Sequence, residues 1–236
     1  MESRRKFIVG AAAGAVALLS CVRLSHAAED EDSSEEVSAN EDLMREHGVL
    51  RRALLVYSLT APRLRANPGK VVAPALNRTA TLFRRFGEDY HERALEEPFI
   101  FPRVKRAGGE AAAIVDVLLE QHRRGREITG FIIAETRNAS SLNPAKGVAM
   151  AHALDSFVLM YQEHTAREDT VVFPAWHSSM SKHEYDEAGE RFEAIERKQF
   201  GHDGFEDAVK QIAAIEKELD IYDLSRFTAP PPPTAS

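Results

Sequence analysis

Residues 157–174 read FVLMYQEHTAREDTVVFP, and their spacing decides the fold. Phe157, Tyr161, His164, Glu168 and Val171 recur at 4-3-4-3 intervals, the period of one helix face turned toward a core. The stripe is not purely apolar. His164 and Glu168 are four residues apart, so they are neighbours on that face, roughly 5–6 Å apart at their Cβ atoms. An imidazole and a carboxylate in that relation can reach one metal ion, or the carboxylate can bridge two.

A second stretch, residues 91–102, reads HERALEEPFIFP. Aligned on their endings, both stretches read His, then Glu-acidic-x-x-aliphatic-Phe-Pro. In the earlier copy His91 and Glu96 are five apart, about 140° of rotation on a straight helix. A π-bulge would return both to one face, and such bulges are frequent at functional sites. Alternatively Glu92 and Glu96 share the inner face and His91 enters from its edge. His91 and Glu96 are the expected ligands, with Glu92 a further candidate. The prolines are read as helix ends, with Phe101 and Phe173 capping the core.

Outward from these stretches the chain is helical, with no convincing strand alternation. The first helix runs from about residue 41 to 60, with Leu43, His47, Leu50 and Leu54 on one face. A loop with Pro62, Pro68 and Gly69 leads to a second helix, about 71–97. A third follows Gly108-Gly109 to about 138, and carries His122 after Val115, Leu118 and Leu119. The fourth spans about 146–172. A fifth (about 181–200) and a sixth (about 205–222) add amphipathic faces. Four long helices with short connections imply an all-α, antiparallel up-down four-helix bundle over residues 41–200. The two C-terminal helices, the last within 201–226, lie outside it or near its open end.

The ends read differently. Ser3-Arg4-Arg5-Lys6-Phe7-Ile8 precedes a short apolar run, the pattern of a secretory signal over residues 1–27. The Arg-Arg pair resembles a twin-arginine signal, which exports folded protein to the periplasm or beyond. Ser25-His26-Ala27 suits signal peptidase; Leu18-Leu19-Ser20-Cys21 resembles a lipoprotein box, which would anchor the chain to a membrane at Cys21. Cleavage after Ala27 is favoured, because Leu19 is bulky for that box. Residues 28–40 are acidic and polar and read as a disordered linker; residues 227–236 read as a Pro-rich disordered tail.

Composition narrows the chemistry. The 236 residues carry a formal charge of −7 and a single cysteine, Cys21. Without residues 1–27, 26 basic residues face 36 acidic ones. No basic cluster follows the start, which excludes nucleic acid as a partner. One cysteine excludes an intrachain disulfide or thiolate site, so a transition-metal site must use His and carboxylate. Each of the four long helices carries one inward candidate histidine: His47, His91, His122 and His164. Imidazole and carboxylate without thiolate suit iron, manganese or zinc.

This constellation resembles the hemerythrin-like family, also called the HHE cation-binding domain, over about residues 41–200. The residues that carry the resemblance are His47, the His91…Glu96-Glu97…Phe101-Pro102 segment, His122, and the His164…Glu168…Phe173-Pro174 segment. The resemblance implies an oxo- or hydroxo-bridged centre of two iron ions with Glu96 and Glu168 as bridging carboxylates. Oxygen-carrying members have a further histidine four residues after the one on the third helix. Here that position is Arg126, which cannot ligate, so the pattern points to members that hold or sense iron or oxygen. The alternatives are a di-iron enzyme that activates oxygen, peroxide or nitric oxide, and a metal-free interaction bundle. No nucleophile triad, phosphate loop or separate acid–base pair argues for catalysis. His152, His177, His183 and His202 are read as structural or solvated; Tyr90 and Tyr161, beside or a turn before candidate ligands, are read by default as core packing, with support of the ligands or contact with bound oxygen as the alternative.

Overall fold

The computed structural model describes residues 37–233, which contain six helices and no strand. The signal, both cleavage sites and Cys21 lie outside the described residues, as do most of the acidic linker and the last three residues of the tail. No described helix is long and apolar enough to cross a membrane.

Helix α1 (Ala39–Ala66) starts two residues before the expected position. Ser38 caps it in an extended conformation and accepts from the Glu41 amide, with Glu41 and Asp42 favourable in the first turn. It also runs past Pro62, which the sequence reading placed in a loop. One lost amide donor is tolerable there because packing along the whole length holds the helix: Ala61 and Leu64 are fully buried.

Helix α2 covers residues 73–107 as one rod. It begins as α-helix (Ala73–Leu82), widens to i→i+5 winding (Phe83–Ile100), and returns to α-helix (Phe101–Ala107) before Gly108 breaks it at φ 78°. Helix α3 is Gly109–Thr136. Helix α4 covers residues 144–178: Asn143 caps Pro144–Arg167, one wide turn follows (Glu168–Val172), and α-helix resumes (Phe173–Ser178).

The prolines therefore do not end these rods; they accompany the widening. An α-helical proline at 102 or 174 would press its ring on the carbonyl four residues back. An i→i+5 turn relieves that clash: Phe101 N–H donates to Glu96 O and Phe173 N–H donates to Glu168 O. Both wide turns pass through the Glu of the repeat, as π-turns at functional sites commonly do.

The four rods pack as an antiparallel bundle, α1 against α4 and α2 against α3 most extensively. An aromatic layer of Tyr57, Phe83, Phe157 and Tyr161 fills its middle, with edge-on contacts at 4.8–5.6 Å between centroids. Helix α5 (Lys182–Phe200) starts with a Ser181/Glu184 capping box, and α6 (Gly204–Glu218) is capped by Asp203. Both lie on the outside, against α1 and α2. Arg52 Nε donates to Glu216 Oε1 at 3.0 Å to fasten α6.

Candidate metal centre

At the level of the wide turns, six side chains converge from four rods. His47 comes from α1, His91 and Glu96 from α2, His122 from α3, and His164 and Glu168 from α4. All are at most 2% exposed. The widened winding of α2 brings His91 and Glu96 to one face despite their five-residue spacing: His91 Nε2 lies 3.3 Å from Glu96 Oε1. His164 and Glu168, at ordinary helical spacing, meet at 3.0 Å.

Each carboxylate divides its two oxygens. Glu96 turns Oε1 to His91 and Oε2 to His122 at 3.4 Å. Glu168 turns Oε1 to His164 and Oε2 to His47 Nε2 at 3.5 Å. Two groups of donors result. One is His47 and His91 with an oxygen from each glutamate; the other is His122 and His164 with the remaining two oxygens. The donor atoms of Glu96, His122, His164 and Glu168 lie within 4.8 Å of one another, as do those of His47, His91 and Glu96.

Bonding within the protein does not account for this cluster. Both oxygens of Glu96, both of Glu168 and Nε2 of His91 lack a hydrogen-bond partner. Buried carboxylates left so cost several kcal/mol each. His122 Nε2 and His164 Nε2 face each other at 3.1 Å, which sets two lone pairs in opposition unless a cation or proton stands between them. The donor set therefore fits a pair of cations.

Protons compete with cations for the same donors. Burial opposes a charged His122, but Glu92, Glu96 and Glu97 outweigh it and raise its imidazole to about 10. Burial likewise opposes a charged His91, and Glu96 with Glu46 raises it well above the ordinary value. Glu96 sits well below its usual range: burial opposes this, but His91 and His122 prevail. Burial, assisted by the Glu96 charge, pushes Glu168 well up. Burial and the neighbouring His122 hold His164 well down.

The far nitrogen of every imidazole is also held. Nδ1 of His47 meets Asp169 Oδ1 at 2.7 Å, and Nδ1 of His91 meets Glu46 Oε2 at 2.6 Å. Nδ1 of His122 meets Glu97 Oε1 at 3.0 Å, and Nδ1 of His164 meets Gln121 Oε1 at 2.9 Å. An acceptor on Nδ1 holds a proton there and makes Nε2 the nitrogen that faces the centre, the arrangement that orients metal-binding histidines. Glu46 is itself raised to about 7 by burial, which its bond to His91 only partly offsets, and Tyr90 donates to its other oxygen.

Helix periodicity does not assign these four partners. Glu97 and Asp169 are the second acids of the repeated Glu-acidic pairs, so the repeat itself held that signal. The repeated phenylalanines also do more than cap the core. Phe101 stacks on His122 and Phe173 on His47, each at 5.4 Å between centroids. Each copy of the repeat thus contributes a dividing carboxylate, a carboxylate for a neighbouring rod's histidine, and a ring over that same histidine.

Glu92 stands apart from the six. Tyr161 donates to its Oε1 at 2.6 Å and Arg126 to its Oε2 at 3.1 Å; it approaches His122 only on the Nδ1 side, at 3.9 Å. Glu92, Glu97 and His122 form a third acidic cluster, in which the Arg126 guanidinium already supplies the positive charge, donating to Glu97 at 2.8 Å. Arg126 therefore faces outer carboxylates rather than the centre. Gly125 lets Tyr161 lie there, since a Cβ at that position would fall 2.2 Å from the phenol oxygen. His152, His177, His183 and His202 are all exposed.

The profile of the hemerythrin HHE cation binding domain matches residues 38–176, which contain all six side chains. Uncharacterized proteins of Mycobacterium tuberculosis (strain ATCC 25618 / H37Rv) and Mycobacterium bovis are each 46% identical over 192 residues, covering 81% of this chain and 74% of theirs. No solved structure matches the chain.

Proposed function

Since this chain belongs to the hemerythrin HHE cation-binding family, we propose that it is an envelope protein that holds two iron ions and uses them to store or sense iron, oxygen or nitric oxide. The observation that carries this reading is the division of Glu96 and Glu168 between two pairs of inward imidazoles. His47 and His91 would hold one ion and His122 and His164 the other, with both glutamates bridging. Imidazole with carboxylate suits iron, and manganese or zinc can use the same donors. A pair of such irons supplies redox chemistry and affinity for diatomic gases.

The protein's own contribution is orientation and exclusion. Outer acceptors hold the four rings, Phe101 and Phe173 cover two of them, and burial keeps a bulky organic substrate from direct contact. That burial favours holding or sensing over turnover of an organic substrate.

The test is the metal content of protein purified from its host, followed by an absorption spectrum under oxygen and after its removal. About two metal ions per chain are expected, as in bundle-core di-metal sites, and His164→Ala should lose at least one. Full metal retention in that variant would refute the assignment. A reversible spectral change supports gas binding, and irreversible oxidation with consumption of an added reductant supports an enzyme instead.

We place the protein outside the cytoplasm on the strength of residues 1–27. Lys at both Arg4 and Arg5 should stop export; unchanged secretion would count against a twin-arginine route.

A further inference from the structure

The centre has an approximate twofold repeat that is broken at one position. Glu46-His47 with Arg51 on α1 corresponds to Gln121-His122 with Arg126 on α3. In each, the histidine turns inward. The arginine four residues on pairs with the carboxylate behind that histidine, Arg51 with Asp169 and Arg126 with Glu97. The residue before the histidine reaches the neighbouring rod's imidazole. Glu46 accepts from His91 at 2.6 Å; Gln121 accepts from His164 at 2.9 Å. Thus three of the four imidazoles are backed by a carboxylate, and His164 alone is backed by a neutral amide.

A carboxylate behind Nδ1 raises the basicity of Nε2 and strengthens its bond to a cation; a neutral carbonyl does so less. The arginines do not offset this difference: Arg51 is half-exposed and paired with Asp169, and the more buried Arg126 is paired with both Glu92 and Glu97, so the neutral amide behind His164 remains the asymmetry.

We propose, resting on the di-metal reading above, that the two positions are unequal. The position formed by His47 and His91 binds the more tightly and fills first, and Gln121 keeps the position of His122 and His164 the weaker and more exchangeable. Gln121 acts here as a positioning residue: it touches His164, not the ion.

The test uses the full-length protein after metal removal, with zinc(II) as a diamagnetic probe, followed by ¹⁵N NMR of the imidazoles. At one equivalent, the Nε2 signals of His47 and His91 should shift while those of His122 and His164 stay in place. Gln121→Glu restores the repeat and should strengthen the second position about 10–100-fold, so one equivalent then distributes over both. Glu46→Gln should move the ion the same way by weakening the first position. An ion that goes first to His122 and His164, or divides evenly in the unmodified protein, overturns the inference and leaves the di-metal reading standing. So does a distribution that neither variant alters. Failure of zinc to reach any of the four rings defeats the di-metal reading itself.

Discussion

Asp169→Asn separates the metal-supporting role of an outer carboxylate from its role as a salt-bridge partner. Asp169 accepts the His47 Nδ1 proton and its side chain is 8% exposed; its other oxygen pairs with Arg51. Asparagine preserves the shape and one acceptor oxygen but removes the charge behind the imidazole. Loss of such a partner typically costs about 10–100-fold in metal affinity, or about 1.4–2.7 kcal/mol. Metal bound to the native state alone adds its binding free energy to folding, so the loaded protein loses that amount. At about 2–4 °C per kcal/mol for a chain of this length, its Tm should fall by about 3–11 °C. In the stripped protein the same change breaks only the contact with a half-exposed arginine, worth at most about 1 kcal/mol, and relieves a partly buried charge. Thermal unfolding of stripped and iron(II)-loaded forms, with affinity measured against a competing chelator, reads both quantities. An equal Tm shift in the two forms, or an unchanged affinity, would refute the argument.

Two further outcomes follow from the same geometry. The ion-free cluster keeps protons on His122, His91 and Glu168, whose values all lie above the ordinary ones, so entry of a metal must expel them. Affinity should rise with pH throughout the range below about 10, in which His122 still holds its proton. Calorimetry in buffers of different ionisation enthalpy should register more than one proton released, and a proton-neutral, pH-independent reaction would contradict this. Gly125→Ala drives a methyl group to 2.2 Å from the Tyr161 phenol. It should destabilise the fold by about 1–3 kcal/mol, seen in the denaturant midpoint; an unmoved midpoint would mean that the ring swings aside freely.

Much of the fold was legible because it rests on local periodicity. The stripe of Phe157, Tyr161, His164, Glu168 and Val171 needs only the pitch of an α-helix to define an inward face, and His47 and His122 occupy comparable stripes. Where the reading missed, long-range packing overrode a local rule. Local rules put Pro62 in a loop and make Pro98, Pro102 and Pro174 helix ends. Burial of the flanking Leu64, Ile100, Phe101 and Phe173 holds the rods together across the missing amides, and the wide turns absorb the proline rings.

By itself the sequence determined the donor chemistry and its distribution: one inward imidazole per rod, carboxylates rather than thiolates, and a duplicated His…Glu-acidic…Phe-Pro segment. Tertiary structure decided how those donors meet. Which of the two arrangements for His91 and Glu96 holds was open from spacing alone, since it depends on hydrogen-bond register over several turns. The partners of the outer nitrogens, and the turning of Glu92 to Tyr161 and Arg126, were likewise hidden. They join residues as far as 122 positions apart, and such pairs are set by the rotation and height of each rod against its neighbours, which no single helix's periodicity contains.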